Sequence, residues 1–169
     1  MEGPTTREHK KDARKASCAI VTLSDTRTLE DDESGNIIQE LVEKDRHSVV
    51  ERMVVKDDPV LFKTLLLDLV GKEVDAVLVN GGTGLSGSDI SVEVAEKLFD
   101  KRISAFGPLF SMLSLADIGT AAMLSRATAG VVKRTAIFCM PGSPKACELA
   151  VSRLILPELS HVIHHVQEG

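Results

Sequence analysis

The chain has 169 residues, 43% of them hydrophobic, and a chain of this length is expected to form one domain with an ordinary hydrophobic core. It carries 20 lysines and arginines against 25 aspartates and glutamates, a net charge of −5, which argues against a nucleic-acid-binding protein. No apolar run approaches the roughly 20 residues of a membrane-spanning helix, so we predict neither a nucleic-acid nor a membrane partner.

The first 15 residues are mostly polar and contain more basic than acidic side chains, and no apolar segment of signal-peptide length follows them. We predict a disordered basic tail over residues 1–15 and a single domain over 16–169. The three cysteines are widely spaced and form no Cys-x-x-Cys pair, which favours reduced thiols over disulfides or zinc ligands. These features predict a cytoplasmic protein.

Predicted strands and helices alternate along the first half of the chain. Residues 17–24 form a nearly continuous β-branched, apolar run, which is typical of a strand buried on both faces. Two further strands are predicted over 47–55 and 75–79. Helices are predicted over 34–45 with Ser34 as its cap, from Pro59 to Gly71 after Asp57 or Asp58, and over 90–99.

The second half combines further helices with one hairpin. Apolar residues recur at helical spacing over 106–115, and 118–126 also favours a helix. Residues 130–132 and 136–140 flank a short polar turn and predict a β-hairpin. Helices are predicted to follow over 145–156 and from Pro157 to about 166. The alternation predicts an α/β fold, a three-layer α/β/α sandwich whose sheet is mostly parallel with one hairpin.

A segment with four glycines, residues 80–89, lies between the third predicted strand and a helix. Glycine allows close approach of the backbone to a ligand, and backbone N–H groups at a helix N-terminus bind anions. The loop therefore predicts a phosphate site, against the alternative of a flexible turn. It lacks the lysine of the common P-loop, and its formal Gly-x-Gly-x-x-Gly match over 82–87 has the wrong spacing from the strand for a dinucleotide fingerprint.

Carboxylates accompany this loop. Asp89 lies at its end, while Asp57 and Asp58 end the second predicted strand at what would be the same edge of a parallel sheet. Two carboxylates from different strand ends would hold Mg²⁺ against phosphate oxygens. The alternative is that these aspartates only cap helices and form a solvated turn.

Other polar residues fall at the same predicted edge. Ser24 and Asp25 end the first strand, and a rigid Pro-Gly-Ser-Pro loop over 141–144 offers a hydroxyl and backbone N–H groups, although such a loop is by default a turn. Arg126, after Ser125, would bind a phosphate or act as an ordinary helix-end charge. The C-terminal histidines have no cysteine or carboxylate at a matching spacing and give little support for zinc.

These segments resemble the molybdopterin adenylyltransferase family, the MoaB/MogA group, over about residues 16–165. The resemblance rests on several motifs in order, and the Ala-Ala-Met-Leu-Ser-Arg-Ala run is closer to the MoaB branch. The matching segments are 19–25 (AIVTLSD), 32–38 (DESGNII), 79–84 (VNGGTG) with Asp89, 106–107 (FG), 118–127 (IGTAAMLSRA), 140–146 (MPGSPKA) and 154–159 (LILPEL).

The resemblance implies an enzyme that transfers AMP from Mg-ATP to the terminal phosphate of molybdopterin and releases pyrophosphate, with Mg²⁺ as cofactor and ATP as co-substrate. It implies a trimer or hexamer and hand-over of the product to a metal-insertion protein. The family's two essential aspartates fall on Asp57 and Asp89, which we predict as catalytic and Mg²⁺-binding. The predicted substrate- and nucleotide-binding residues are Ser24, Asp25, Asn80, Gly81, Gly82, Thr83, Gly84, Ser91, Ser125, Pro141, Gly142 and Ser143.

The chain departs from the family pattern at Asn80, at Ser91 and over residues 104–108, where the family usually has Pro-Gly-Phe-Gly-Glu and this chain has Ser-Ala-Phe-Gly-Pro. Asn80 replaces a threonine and Ser91 another threonine, and both keep hydrogen-bonding capacity. Pro108 replaces a glutamate and removes one charge and one backbone donor. This last departure supports an alternative, a non-catalytic molybdopterin-binding or carrier protein of the same fold. A third reading, an unrelated nucleotide-binding α/β domain, lacks the expected fingerprint.

Overall fold

The computed structural model describes residues 14–168, so most of the predicted tail over 1–15 lies outside the described residues. The strands that it contains are β1 (Ser17–Leu23), β2 (Ser48–Val55), β3 (Ala76–Asn80), β4 (Lys101–Arg102), β5 (Thr128–Val132) and β6 (Thr135–Met140). The helices are α1 (Glu33–Lys44), α2 (Pro59–Gly71), α3 (Ser91–Glu96), α4 (Phe106–Ile118), a 3₁₀ turn (Gly119–Leu124), α5 (Pro144–Ala150), a π-helical turn (Val151–Ile155) and α6 (Leu156–Glu168).

The strands form one sheet in the order β2-β1-β3-β6-β5-β4. The pairs β1–β2, β1–β3 and β3–β6 are parallel, because a helix carries the chain back after each of the first three strands. Strands β5 and β6 form the antiparallel hairpin, and β4 adds a short antiparallel edge that the sequence reading missed. The predicted α/β class with a mostly parallel sheet and one hairpin is confirmed.

Two apolar clusters cover the two faces of the sheet. Successive side chains of β1 point to opposite faces, as in any strand, so Ile20 belongs to one cluster and Val21 to the other. The first cluster also contains Ile38 of α1 and Leu159 of α6, and the second contains Phe62 of α2. Strands that lie between two helical layers are buried on both faces and therefore have continuous apolar sequences. This explains why β1 and β3 could be predicted from the sequence.

Helix α1 is capped by Asp32, not by Ser34 as predicted. The Asp32 side chain accepts a hydrogen bond from the backbone N–H of Gly35 at 3.0 Å. The Ser34 hydroxyl instead donates to the Gly142 carbonyl at 2.6 Å. A carboxylate at this position caps the helix and also interacts favourably with the positive end of its dipole. In α2 the expected cap is present, since Asp58 accepts from the N–H groups of Val60 and Leu61.

The predicted break before Pro157 is absent, and the chain runs from α5 to α6 without leaving helical geometry. A π-helical turn over Val151–Ile155 precedes the proline. Pro157 has no N–H to donate to the preceding turn, and a local change in hydrogen-bond spacing is a known way of accommodating such a residue within a helix.

Within residues 14–168, one helical stretch, Phe106–Leu124, is long and apolar enough to cross a membrane by length and composition, and 17% of its window is buried. One such stretch is weak evidence. Its regular part, α4, has 13 residues and ends at Ile118, just before Gly119, whose φ is +63°. At about 1.5 Å per residue, α4 spans roughly 20 Å, less than the hydrocarbon thickness of about 30 Å. The absence of a membrane partner stays a prediction.

Candidate functional site

Four loops meet at the carboxyl edge of the parallel strands, where ligands bind in open α/β sheets. The loop after β1 contains Ser24 and Asp25, and the loop after β2 contains Asp57, whose N–H donates to Asp25 Oδ1 at 3.1 Å. The loops after β3 and β6 also touch, since the Gly81 N–H donates to the Met140 carbonyl at 3.0 Å. The structure therefore brings together the strand-end residues that the sequence predicted at this edge.

The first two glycines of the loop after β3 adopt backbone conformations that other residues avoid. Gly81 has φ +92° and Gly82 has φ +65°. A Cβ atom on Gly81 would lie 2.4 Å from the Leu23 carbonyl oxygen, which a folded chain does not tolerate. The loop is fixed to α3 by Ser91, whose N–H and hydroxyl donate to the Gly82 carbonyl at 2.9 and 2.8 Å. Ser91, predicted as a binding residue, thus shapes the loop.

A buried network of hydrogen-bonded polar side chains lies beneath the glycine loop. Asn80 is fully buried, and its amide donates to the Thr22 hydroxyl, which in turn donates to Asp32, both at 2.8 Å. Arg52 completes this network with an ion pair to the same Asp32 oxygen at 3.2 Å. The structure places Asn80 beneath the loop. Sequence reasoning missed the other three members, although a threonine inside an otherwise apolar strand was a signal.

Asp57 has a buried, unsatisfied oxygen beside the glycine loop. Its Oδ1 atom has no hydrogen-bond partner among the described residues, and a Cβ on Gly82 would lie 3.3 Å from it. Burial raises the pKa of Asp57 above its ordinary value, and the neighbouring charges of Asp25 and Asp89 raise it further. A carboxylate held in this way favours a cation at the same place.

Asp89 folds back onto the glycine loop and does not cap α3. It accepts hydrogen bonds from the Ser86 hydroxyl at 2.6 Å and from the Ser86 N–H at 3.0 Å. The cap position of α3 is Ile90, which makes no side-chain capping bond. The Ser86 hydroxyl is the main cause of the lowered pKa of Asp89, and the Arg126 charge adds to the effect. This carboxylate is therefore ionised at neutral pH.

Asp57 and Asp89 flank the same loop, at Gly82 and Gly84 respectively. Within residues 14–168, no group of three or more histidines, cysteines, aspartates or glutamates is placed to hold a metal ion. Two carboxylates with an unsatisfied oxygen fit Mg²⁺, which in proteins usually takes one or two carboxylates and completes its shell with phosphate oxygens and water. The C-terminal histidines stay near one another on α6, with His161 and His165 Nε2 atoms 2.8 Å apart.

The loop after β6 contacts the N-terminal turn of α1. The Gly142 carbonyl accepts from the Ser34 hydroxyl and, at 3.3 Å, from the Arg27 guanidinium, two residues that sequence reasoning missed. The Ser143 hydroxyl is used as the cap of α5, where it accepts from the Ala146 N–H at 3.2 Å. Its O–H hydrogen remains available as a donor. Arg27 is a cation at this edge, and no local sequence pattern marks it.

Cys147 lies just below the Pro141–Ser143 loop, where its thiol donates to the Pro141 carbonyl at 3.3 Å. Burial raises the pKa of this thiol to about 12. The thiolate is the nucleophilic form of cysteine, so Cys147 is inert at neutral pH.

Ser125 and Arg126 lie on the other side of the glycine loop, in a shallow groove between α3 and α4 that Pro108 also lines. The Arg126 guanidinium donates to the carbonyls of Thr83 and Gly84 at 2.8 and 2.7 Å. Pro108 occupies the first turn of α4, so the position where the resembling family has a glutamate faces the same groove.

The comparisons with known proteins agree with this architecture. Residues 19–161 match the family described as "Probable molybdopterin binding domain". The molybdenum cofactor biosynthesis protein B of Bacillus cereus is 49% identical over 158 residues, which cover 92% of this chain and 94% of the relative. The same protein of Bacillus subtilis is 43% identical over 164 residues, covering 95% of this chain and 96% of the relative.

Solved structures give the same result. A crystal structure of a molybdenum cofactor biosynthesis protein B has a TM-score of 0.90 and 45% identity, covering 93% of this chain and 99% of the other. The tungsten cofactor synthesizing protein MoaB from Pyrococcus furiosus has a TM-score of 0.83 and 31% identity, covering 91% and 98%.

The fold and its edge loops define an α/β protein with a glycine-rich loop at the carboxyl ends of parallel strands. With 143 matched residues (19–161) out of 169, the chain belongs to the molybdopterin-binding domain family, and within it the chain is similar to the MoaB proteins.

Proposed function

We propose that this protein serves molybdenum- or tungsten-cofactor biosynthesis by adenylylating molybdopterin. A terminal phosphate oxygen of molybdopterin attacks the α-phosphorus of ATP. The bond from that phosphorus to the bridging oxygen breaks, and pyrophosphate leaves with the electron pair. The products are adenylyl-molybdopterin and pyrophosphate. The names of the relatives support the pathway, and the adenylyl transfer itself is our proposal.

The unsatisfied Oδ1 atom of Asp57 carries this proposal. It is buried beside the glycine loop, lacks a hydrogen-bond partner among residues 14–168, and has Asp89 close enough to raise its pKa. A buried polar atom without a partner is costly unless a ligand completes it. Asp57 and Asp89 would hold Mg²⁺, which would offset the negative charge on the α-phosphate and on the leaving pyrophosphate.

The remaining residues position the reactants. Backbone N–H groups of the loop over 81–84 would bind phosphate oxygens, and Ser24, Asp25, Ser125 and the loop over 141–143 complete the predicted binding surface. No side-chain nucleophile is needed, and the inert Cys147 is consistent with that requirement. Catalysis would rest on positioning and on charge neutralisation.

The proposed activity is tested by incubating the purified protein with molybdopterin, ATP and Mg²⁺ and separating the products by chromatography. We expect adenylyl-molybdopterin and pyrophosphate in equal amounts, and neither product after chelation of Mg²⁺. Asp89→Asn is expected to abolish turnover while leaving the circular dichroism spectrum unchanged. Wild-type turnover by Asp89→Asn would refute the catalytic assignment of this residue.

A second candidate function is a non-catalytic molybdopterin carrier. Pro108 favours it, since this side chain lines the groove beside Arg126 and removes the charge that the resembling family has there. Equilibrium binding of molybdopterin without any pyrophosphate release would support this alternative. The gain of turnover in Pro108→Glu would then identify Pro108 as the cause.

We further propose that the protein is a cytoplasmic homo-oligomer, a trimer or hexamer, which passes its product to a metal-insertion protein. The support for oligomerisation is a set of exposed apolar side chains on α4 and the 3₁₀ turn: Leu109, Met112, Leu115, Ile118, Met123 and Leu124. An apolar surface of this kind is typical of an interface. Three free, buried cysteines are consistent with a reducing compartment.

A further inference from the structure

Arg126 lies outside the glycine loop but donates hydrogen bonds to two successive carbonyls of that loop. It follows the 3₁₀ turn and precedes β5, and its side chain is 29% exposed. Its Nε donates to the Thr83 carbonyl at 2.8 Å and its second terminal nitrogen donates to the Gly84 carbonyl at 2.7 Å. A planar guanidinium is suited to binding two neighbouring acceptors at once.

The other side of the guanidinium is held by Glu93 of α3. The first terminal nitrogen of Arg126 donates to Glu93 Oε1, and the second lies 3.4 Å from Oε2. Glu93 itself is half exposed, so the pair is only partly shielded from solvent. The ion pair nevertheless fixes the orientation of the Arg126 guanidinium, because both carboxylate oxygens of Glu93 face that group.

The two carbonyl contacts decide where the loop N–H groups point. In a trans peptide the C=O of one residue and the N–H of the next point in opposite directions. Arg126 binds the Thr83 carbonyl on one side of the loop, which turns the Gly84 N–H to the other side. There the Gly84 N–H faces the Asp89 carboxylate, which Ser86 also binds.

We infer that Arg126 is a positioning residue, which holds the peptides of Thr83 and Gly84 so that the loop and Asp89 keep the geometry required for ligand binding. Glu93 has the matching role of orienting the guanidinium. This inference rests on the proposed function only in taking the loop over 81–89 as the ligand loop.

A direct phosphate contact by Arg126 is the competing role, and the two roles make opposite predictions for Glu93→Gln. If Arg126 bound phosphate, loss of its counter-ion would free the guanidinium and tighten binding. If Arg126 positions the loop, loss of the Glu93 charge lets the guanidinium move, and the less ordered loop binds phosphate more weakly. Most N–H groups of the Arg126 guanidinium already donate to Thr83, Gly84 and Glu93, which favours the positioning role.

The experiment compares amide hydrogen exchange in the loop over 81–89 in the wild type, Arg126→Ala, Arg126→Lys and Glu93→Gln. The control is Arg102→Ala, which removes a similar pair, Arg102–Glu96 at 2.8 Å, without touching the loop. We expect exchange of loop amides to accelerate about tenfold or more in both Arg126 variants and less in Glu93→Gln, with Arg102→Ala unchanged. This readout requires no enzymatic activity.

Kinetics provide the second readout if the wild type is active. We expect Arg126→Ala to lose kcat by at least about tenfold, partly restored by added guanidinium, and Glu93→Gln to be impaired in the same direction. Unchanged loop exchange in Arg126→Ala would overturn the positioning role, as would tighter ATP binding in Glu93→Gln. An inactive wild type with accelerated loop exchange in Arg126→Ala would refute the adenylylation proposal and leave this inference standing.

Discussion

Gly84 leaves space for the Asp89 carboxylate. A Cβ atom at this position would lie 2.5 Å from Asp89 Oδ2, so alanine would displace that carboxylate without disturbing the core. We expect Gly84→Ala to lower turnover by about tenfold to a hundredfold, comparable to the loss of a preorganised catalytic contact, with little change in melting temperature. The measurement is steady-state formation of pyrophosphate.

Gly87 provides the matched control for this substitution. A Cβ on Gly87 would have no heavy atom within 4 Å, and it lies in the same loop. We expect Gly87→Ala to keep wild-type turnover. Equal losses in Gly84→Ala and Gly87→Ala would show that the loop requires general flexibility and not space for Asp89.

The raised pKa of Asp57 predicts a conflict between stability and function at this residue. The folded protein binds this proton more tightly than the unfolded chain, so stability falls as pH rises above the ordinary value of 3.8, and the loss persists at pH 7. We expect Asp57→Asn to melt higher than the wild type at pH 7 while losing turnover. Each kcal/mol would appear as roughly 2–4 °C in a chain of this size.

The gain in Asp57→Asn is expected to disappear below about pH 3.8, where the wild-type carboxyl is protonated in both states. Asp58→Asn is the control, since Asp58 caps α2 and asparagine caps helices equally well. Thermal unfolding across this pH range measures both variants. A lower melting temperature for Asp57→Asn at pH 7 would contradict the prediction.

At the scale of elements, Asp32 joins the start of α1 to strands β1 and β2. It is fully buried and bound by Thr22, Gly35 and Arg52. Removing one partner of a buried ion pair typically costs about 3–5 kcal/mol, because the other charge is left without compensation. We expect Asp32→Ala to lose about 3 kcal/mol, measured as a lower urea midpoint at an unchanged slope.

The exposed neighbour Asp31 is the control for this change. Its carboxylate accepts from the Thr28 hydroxyl at 3.1 Å in the loop before α1. Asp31→Ala is expected to change stability by about 0.5 kcal/mol, as is usual for surface sites. Similar losses of stability in both variants would show that Asp32 acts only through the loop before α1 and not through the buried side-chain network.

The elements that were predicted correctly from sequence are those with local signals. Strands β1 and β3 are apolar runs between two helical layers, and Pro59 with Asp58 marks the start of α2. Where two local signals competed, the prediction was wrong: both Asp32 and Ser34 are good caps, and the tertiary contact of Ser34 with Gly142 decided between them.

The candidate site was predictable only in part, for the same physical reason. The glycine loop and the strand-end aspartates are local patterns at the ends of predicted strands. Arg27 and Arg52 shape the site through contacts with residues far away in the sequence. Arg126 was considered from sequence as a phosphate ligand or a helix-end charge, but its contacts with Thr83 and Gly84 were not predicted. Such contacts can be predicted only once the order of the strands in the sheet is known, so no spacing rule in the sequence reveals them.

At the scale of the whole molecule, the apolar surface of α4 and the 3₁₀ turn predicts association. Leu115 is 56% exposed on this surface, and Leu61 of α2 is 55% exposed elsewhere. We expect Leu115→Lys to shift the protein toward the monomer in size-exclusion chromatography with light scattering, because a buried, unpaired charge opposes the interface. Leu61→Lys, with equal exposure, is expected to leave the assembly unchanged.

The behaviour of the wild type with lipid vesicles separates an interface from a membrane contact at this apolar surface. A monomeric wild type that floats with lipid vesicles would contradict both the oligomer and the absence of a membrane partner. An oligomeric wild type that stays in the soluble fraction would support both expectations.

The contact between the loops after β3 and β6 has a consequence for how the protein is made. Gly81 and Gly142 are so close that a Cβ on Gly142 would lie 3.1 Å from the Gly81 Cα, and Ser34 reaches the same loop from 108 residues earlier. During synthesis, β1 and the glycine loop leave the ribosome before the segment that completes them exists. A nascent chain therefore has no finished site, and a ligand that binds there cannot assist the early stages of its folding.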